Sequence, residues 1–143
     1  CYALFEHMMP AERSACFDAL WQKLRSGGHL VVYETPNRIW PYDSHTTQLY
    51  GWQWLPPRWA LWYGKRRRKF SQDADLETMY REGYGMTWCD WRRLLDDKPH
   101  TFVAGTDWRG PRLKRAIGKT LGLLLLRPRW TICRYWNFIL RKA

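Results

Sequence analysis

Residues 108–143 contain no aspartate or glutamate, against ten lysines and arginines. Residues 1–107 hold the other 14 cations and all 13 acids, so the net charge of +11 divides into +1 and +10. The chain also lacks any Cys-x-x-Cys pair. Its four cysteines, at positions 1, 16, 89 and 133, are widely and irregularly spaced. That excludes a zinc knuckle and a dense disulfide framework, and reads as reduced, intracellular thiols. Long hydrophobic runs are missing too. Even the leucine-rich stretch Leu121–Leu126 falls far short of the roughly 20 apolar residues that span a bilayer. There are no internal repeats and no low-complexity tracts.

What is present is a hydrophobic share of 45% with 17% aromatics over 143 residues, enough for one domain with its own core. Tyr2–Phe5 reads as a buried strand end. Pro10 and Glu12 suit the first turn of a helix, and Phe17, Leu20, Trp21 and Leu24 recur at helical spacing up to the Gly27-Gly28 stop. Leu30–Tyr33 is an apolar, β-branched run of the kind covered on both faces. Strand, helix and strand at this spacing predict a parallel βαβ unit. Residues 35–64, broken by four prolines and carrying Trp40, Trp52, Trp54, Trp59 and Trp62, read as a long aromatic loop. A short helix is expected over Asp73–Arg81, a capped helix from Thr87-x-x-Asp90 through Leu95, and a strand over His100–Ala104. In the tail, two amphipathic helices are expected, split at Pro128, the second carrying Ile132, Cys133, Trp136, Ile139 and Leu140 on its apolar stripe.

Three stretches carry a likeness. They are Ala3-Leu-Phe-Glu-His-Met8, then Ser26-Gly-Gly-His-Leu-Val-Val-Tyr33, then Thr35-Pro-Asn-Arg-Ile-Trp-Pro-Tyr-Asp-Ser-His-Thr-Thr47 with Trp54-Leu-Pro56. In this order they resemble the C-terminal portion of a class I S-adenosylmethionine-dependent methyltransferase, well over residues 1–60 and loosely beyond. The resemblance implies an α/β fold with a Rossmann-like, mostly parallel sheet. Residues 1–107 would form the C-terminal part of the methyltransferase-like domain, and 108–143 a basic amphipathic helical extension. It implies S-adenosylmethionine as cofactor and methyl transfer, with oxygen the favoured accepting atom, to a small-molecule or glycan- or lipid-linked acceptor.

The same resemblance places Glu6 and His7 beside the cofactor. It makes His45 and His7 the candidate bases, and sets Asn37, Trp40, Asp43, His45 and Trp52 around the acceptor. An imidazole that titrates near neutrality suits the removal of a hydroxyl proton. The family's Gly-x-Gly loop and ribose-holding acid match no position, so this piece is expected to be inactive by itself. A metal-assisted branch has a further glutamate three residues before Glu-His. Ala3 stands there, so no metal is expected.

Plainer alternatives stand beside these. Glu6 and His7 can simply end a strand, His45 can be a loop histidine, and His29 and His100 read as structural. The tryptophans can be ordinary packing, and Lys65–Lys69 a solvated turn, with a phosphate or anionic-lipid contact as the alternative. The tail can pack on its own domain or meet an anionic membrane surface through residues 108–143. That keeps a non-catalytic membrane-surface module open. Nucleic acid is disfavoured, because no recognition motif accompanies the charge. The expected location is the cytoplasm, or the inner face of a membrane.

Overall fold

The computed structural model describes residues 1–105 and 134–143. Helix α1 spans Pro10–Lys23, α2 Pro57–Arg66, α3 Leu76–Gly83 and α4 Trp88–Leu95. Strand β1 spans His29–Pro36, β2 His100–Ala104 and β3 Tyr135–Lys142, and single 3-10 turns cover Phe5–His7 and Trp52–Trp54. Local chemistry sets most of the boundaries. Pro10 opens α1, and Glu12 reaches back to accept from the Met9 amide at 2.9 Å. The Asp75 carboxylate accepts from the Thr78 amide at the head of α3. Thr87 and Asp90 form the reciprocal cap of α4 that their spacing predicts.

The sheet corrects the expected fold class. It has three strands in the order β1-β3-β2, and both pairings are antiparallel. Among the described residues there is no mostly parallel, Rossmann-like sheet. The strand–helix–strand reading of residues 2–33 survives only as one parallel bridge, Tyr2 to Tyr33. The ladder belongs to β3 because its backbone bonds on both edges. β1 and β2 each oppose it, so they run in the same direction without touching.

The same strand corrects the tail. Residues 135–142 are extended, not helical. Trp136, Phe138 and Leu140 are buried while their neighbours are more exposed. Positions 132, 133, 136, 139 and 140 satisfy a helical period and 136, 138 and 140 a period of two. In so short an apolar run, tertiary pairing decides between them. The first expected tail helix, and Ile132 and Cys133 of the second, lie outside the described residues. β3 pairs with strands of the 1–107 segment, so the last part of the expected extension is built into the sheet. Lys142 closes the join. Its amide bonds Gly28 O, and its Nζ donates to Trp21 O and Leu24 O at the carbonyl-rich end of α1.

One face of the sheet packs Leu30, Val32, Trp136, Phe138 and Leu140 against Phe17 and Trp21 of α1 and Trp91, Leu94 and Leu95 of α4. The opposite face leaves Val31 and Tyr33 about half exposed, so β1 is not covered on both faces by described residues. A second core joins Leu49, Trp52, Ala60, Phe70, Met79, Tyr80 and Tyr84. The stretch read as loop therefore contains a 3-10 turn and α2, with Trp52 as a core residue. Among the described residues no helix is long and apolar enough to cross a membrane.

Candidate functional site

The Phe5–His7 turn is held from behind by Arg13, a buried residue of α1. Its guanidinium donates to the carbonyls of Phe5, Glu6 and Tyr84 at 2.7, 3.4 and 2.7 Å. One side chain thus ties the turn to the chain just after α3. Arg81, on α3 itself, adds a two-pronged salt bridge to Glu12 at 2.7 and 2.6 Å. With these supports Glu6 points inward, fully buried, while His7 stays near the surface.

The loop carrying His45 is organised by Asp43. Its carboxylate accepts from the amides of His45, Thr46 and Thr47, from the Thr47 hydroxyl and from Gln53 Nε2, all between 2.6 and 3.2 Å. Thr46 then fastens the loop to the end of α3 by donating to the Glu82 and Gly83 carbonyls. Gly83 has a left-handed φ of +113°. A Cβ there would lie 3.0 Å from Thr46 Oγ1 and 3.3 Å from both His7 Cε1 and His45 Cε1. The bare backbone lets the two imidazoles approach edge to face, with ring centres 5.3 Å apart. Asp43→Asn is expected to destabilise the fold by about 1–3 kcal/mol, because an amide cannot accept all five bonds. Urea denaturation of parent and variant side by side checks this. An unchanged midpoint would remove Asp43 as the organiser of the loop.

Glu6 Oε1 lies 3.7 Å from His45 Nε2 and 3.9 Å from His7 Nε2. Both are ion-pair distances, longer than a hydrogen bond. Among the described residues, neither Glu6 oxygen has a hydrogen-bond partner. His7 Nδ1 sits 2.6 Å from the Arg81 carbonyl, which can only accept. The Nδ1 therefore carries the proton, and Nε2 is turned toward the carboxylate. The facing Glu6 carboxylate is the largest influence raising the His45 pKa above its ordinary 6.5, and partial burial opposes it. Among the described residues, Glu6, His7 and His45 form a group able to hold a metal ion, their ligand atoms all within 4.8 Å of one another.

Comparison with protein-family models, curated proteins and solved structures finds no match.

Of the residues singled out in the sequence, the structure brings Glu6, His7 and His45 together. Three others are packed inside. Asp43 is saturated by the loop it organises, Trp52 sits in the second core with its Nε1 bonded to Ala60 O, and Asn37 is buried with its Oδ1 accepting from the Ile39 amide. Trp40 is half-buried, and its amide donates to the Asn37 carbonyl. Arg13, Arg81 and Gly83, which hold the cluster in place, carry no sequence signal that could have paired them with it.

Proposed function

We propose that this chain forms the acceptor side of an S-adenosylmethionine-dependent methyltransferase acting on a hydroxyl of a small-molecule or glycan- or lipid-linked acceptor. The observation that carries the reading is the buried Glu6 carboxylate, without a hydrogen-bond partner among the described residues, facing the His45 imidazole at 3.7 Å. S-adenosylmethionine, when bound, supplies an electrophilic methyl group and leaves as a neutral thioether. His45 takes the proton of the acceptor hydroxyl, and Glu6 stabilises the imidazolium that results. The Glu6 oxygens also suit a cationic neighbour such as a sulfonium or ammonium, which fits one end of that cofactor. No described residue offers the glycine-rich cradle or the ribose-holding acid.

The sign of the His45 shift gives a test. A raised pKa keeps the imidazole protonated, and inactive as a base, to higher pH. Methyl transfer by the protein is expected to rise with pH through a midpoint above 6.5, the ordinary histidine value. Glu6→Gln should move that midpoint down. A midpoint indifferent to Glu6→Gln would dissolve the pairing.

A second reading rests on the same three side chains. A buried carboxylate without hydrogen bonds is costly unless a cation pairs with it. His7, oriented by its bond to a backbone carbonyl, has the supported geometry of a metal-ligating imidazole. One carboxylate and two imidazoles suit a zinc-type ion with a position left for an acceptor oxygen. This runs against the expectation drawn from Ala3. Calorimetric titration of the chain with zinc should then show one site that Glu6→Gln and His7→Ala both weaken. Equal heats from parent and variants would sink this reading.

A further inference from the structure

Between Asp43 and Asp73 the chain has no acid and six lysines and arginines: Arg58, Lys65, Arg66, Arg67, Arg68 and Lys69. Helix α2 runs through this stretch and is two-faced. Ala60 and Gly64 turn inward, and Gly64 fits so closely that a Cβ would come within 2.5 Å of the Phe70 ring. Trp59 and Trp62 turn outward and are 62% and 54% exposed, with Trp54 just before the helix at 60%. Their indoles meet edge to face at 6.2 Å, and Arg66 lies over the Trp62 ring at 5.9 Å. Trp59, Trp62 and Arg66 follow i, i+3, i+7 spacing and so share one face.

Past the helix, Tyr42, Gln48 and Arg66–Lys69 line an open cleft of about 450 Å³. Among the described residues no carboxylate forms a salt bridge with Arg58 or with Arg66–Lys69.

Exposed tryptophans next to unopposed cations match the two layers of a bilayer surface. Indole rings favour the zone between headgroup and acyl chain, and lysine and arginine favour anionic phosphates. Single-stranded nucleic acid fits less well. Base stacking needs open ring faces, and here Arg66 covers one face of Trp62 while Trp59 meets its ring edge to face.

We propose that α2 is a membrane-docking helix that lies flat on an anionic phospholipid surface, with Trp59 and Trp62 seated among the headgroups and Arg66–Lys69 facing their phosphates. This surface shares no residue with the Glu6–His7–His45 cluster, so its test is independent of methyl transfer. The charge of Lys65–Lys69 alone is equally that of a solvated turn. The outward tryptophan pair on the adjoining helix is what favours lipid.

Flotation of the full chain decides the matter, using vesicles of equal parts phosphatidylcholine and phosphatidylglycerol, and of phosphatidylcholine alone. Binding is expected to the mixed vesicles only, and to weaken with salt. Trp59→Ala/Trp62→Ala should lower affinity roughly tenfold or more, as loss of two interfacial anchors requires, with an unchanged circular dichroism spectrum. Arg66→Gln/Arg67→Gln/Arg68→Gln should weaken binding and flatten its salt dependence. Neutralising Arg109, Arg112, Lys114 and Arg115 should leave the effect of the tryptophan pair intact. The proposal falls if the parent chain fails to float at low salt, or if the tryptophan variant floats like the parent. It also falls if the tryptophan substitutions abolish binding to single-stranded RNA while the vesicles are ignored.

Discussion

On the methyl-transfer reading proposed above, His45→Ala should lower turnover by roughly 10²–10⁴-fold, the usual worth of a positioned general base. Affinity for S-adenosylmethionine should be largely retained. The split follows from the geometry. His45 sits on a loop folded by Asp43 and pinned to α3 through Thr46, so removing its imidazole leaves the loop's hydrogen bonds in place. Glu6 stays where Arg13 holds the turn around it. Turnover and cofactor affinity, measured on one preparation, separate a lost base from a collapsed site. Unchanged turnover would take His45 out of the mechanism.

The second large effect is on stability. Trp136→Ala is expected to cost about 3–5 kcal/mol in chemical denaturation, as truncation of a buried aromatic does. Trp136 is fully buried on the central strand, 6.2 Å from the Trp88 ring, and its Nε1 donates to Met86 O at 2.8 Å. Truncation opens a cavity in the main core and removes one of the two donors to the Met86 carbonyl, which also accepts from the Arg38 amide at 3.1 Å. Trp136→Phe keeps most of the volume and leaves the Met86 carbonyl its bond from the Arg38 amide, so it should cost less, about 0.5–1.5 kcal/mol for the one lost hydrogen bond. A loss below about 1 kcal/mol for the alanine variant would mean that β3 is not the strand on which the core depends.

Elements that announce themselves through neighbouring residues were legible in the sequence. Pro10 with Glu12 marked α1, Thr87 with Asp90 marked α4, and the β-rich run His100–Ala104 marked β2 within its observed bounds. Features that depend on distant partners were not. β3 carries an apolar pattern compatible with either period, and what makes it a strand is the pair of backbones at residues 29–36 and 100–104. The parallel sheet is what the strand–helix–strand spacing and the methyltransferase resemblance imply, whereas the pairing goes to a strand inserted from more than 100 positions away, as in His29 with Arg141. At the site, Glu6, His7 and His45 could be named as chemistry. The reason they converge could not, because Arg13 acts on Tyr84 across 71 positions and His7 on Arg81 across 74. Trp52 and Asp43 misled for a physical reason. Aromatic and acidic residues in a proline-rich stretch look like a binding wall, yet here one fills a core and the other folds a loop.

The position of β3 also governs the order in which the protein can be made. His29 pairs with Arg141 and His100 with Lys142, so neither outer strand has its sheet neighbour until residues 135–142 leave the ribosome. The interval between residues 104 and 135 corresponds to translation on the order of seconds. Throughout it, β1 and β2 present unpaired edges while α1 and α4 can already fold. Such long sequence separation predicts slow, late sheet closure. A nascent chain stalled before Tyr135 would accordingly be a good substrate for chaperones that hold exposed strand edges.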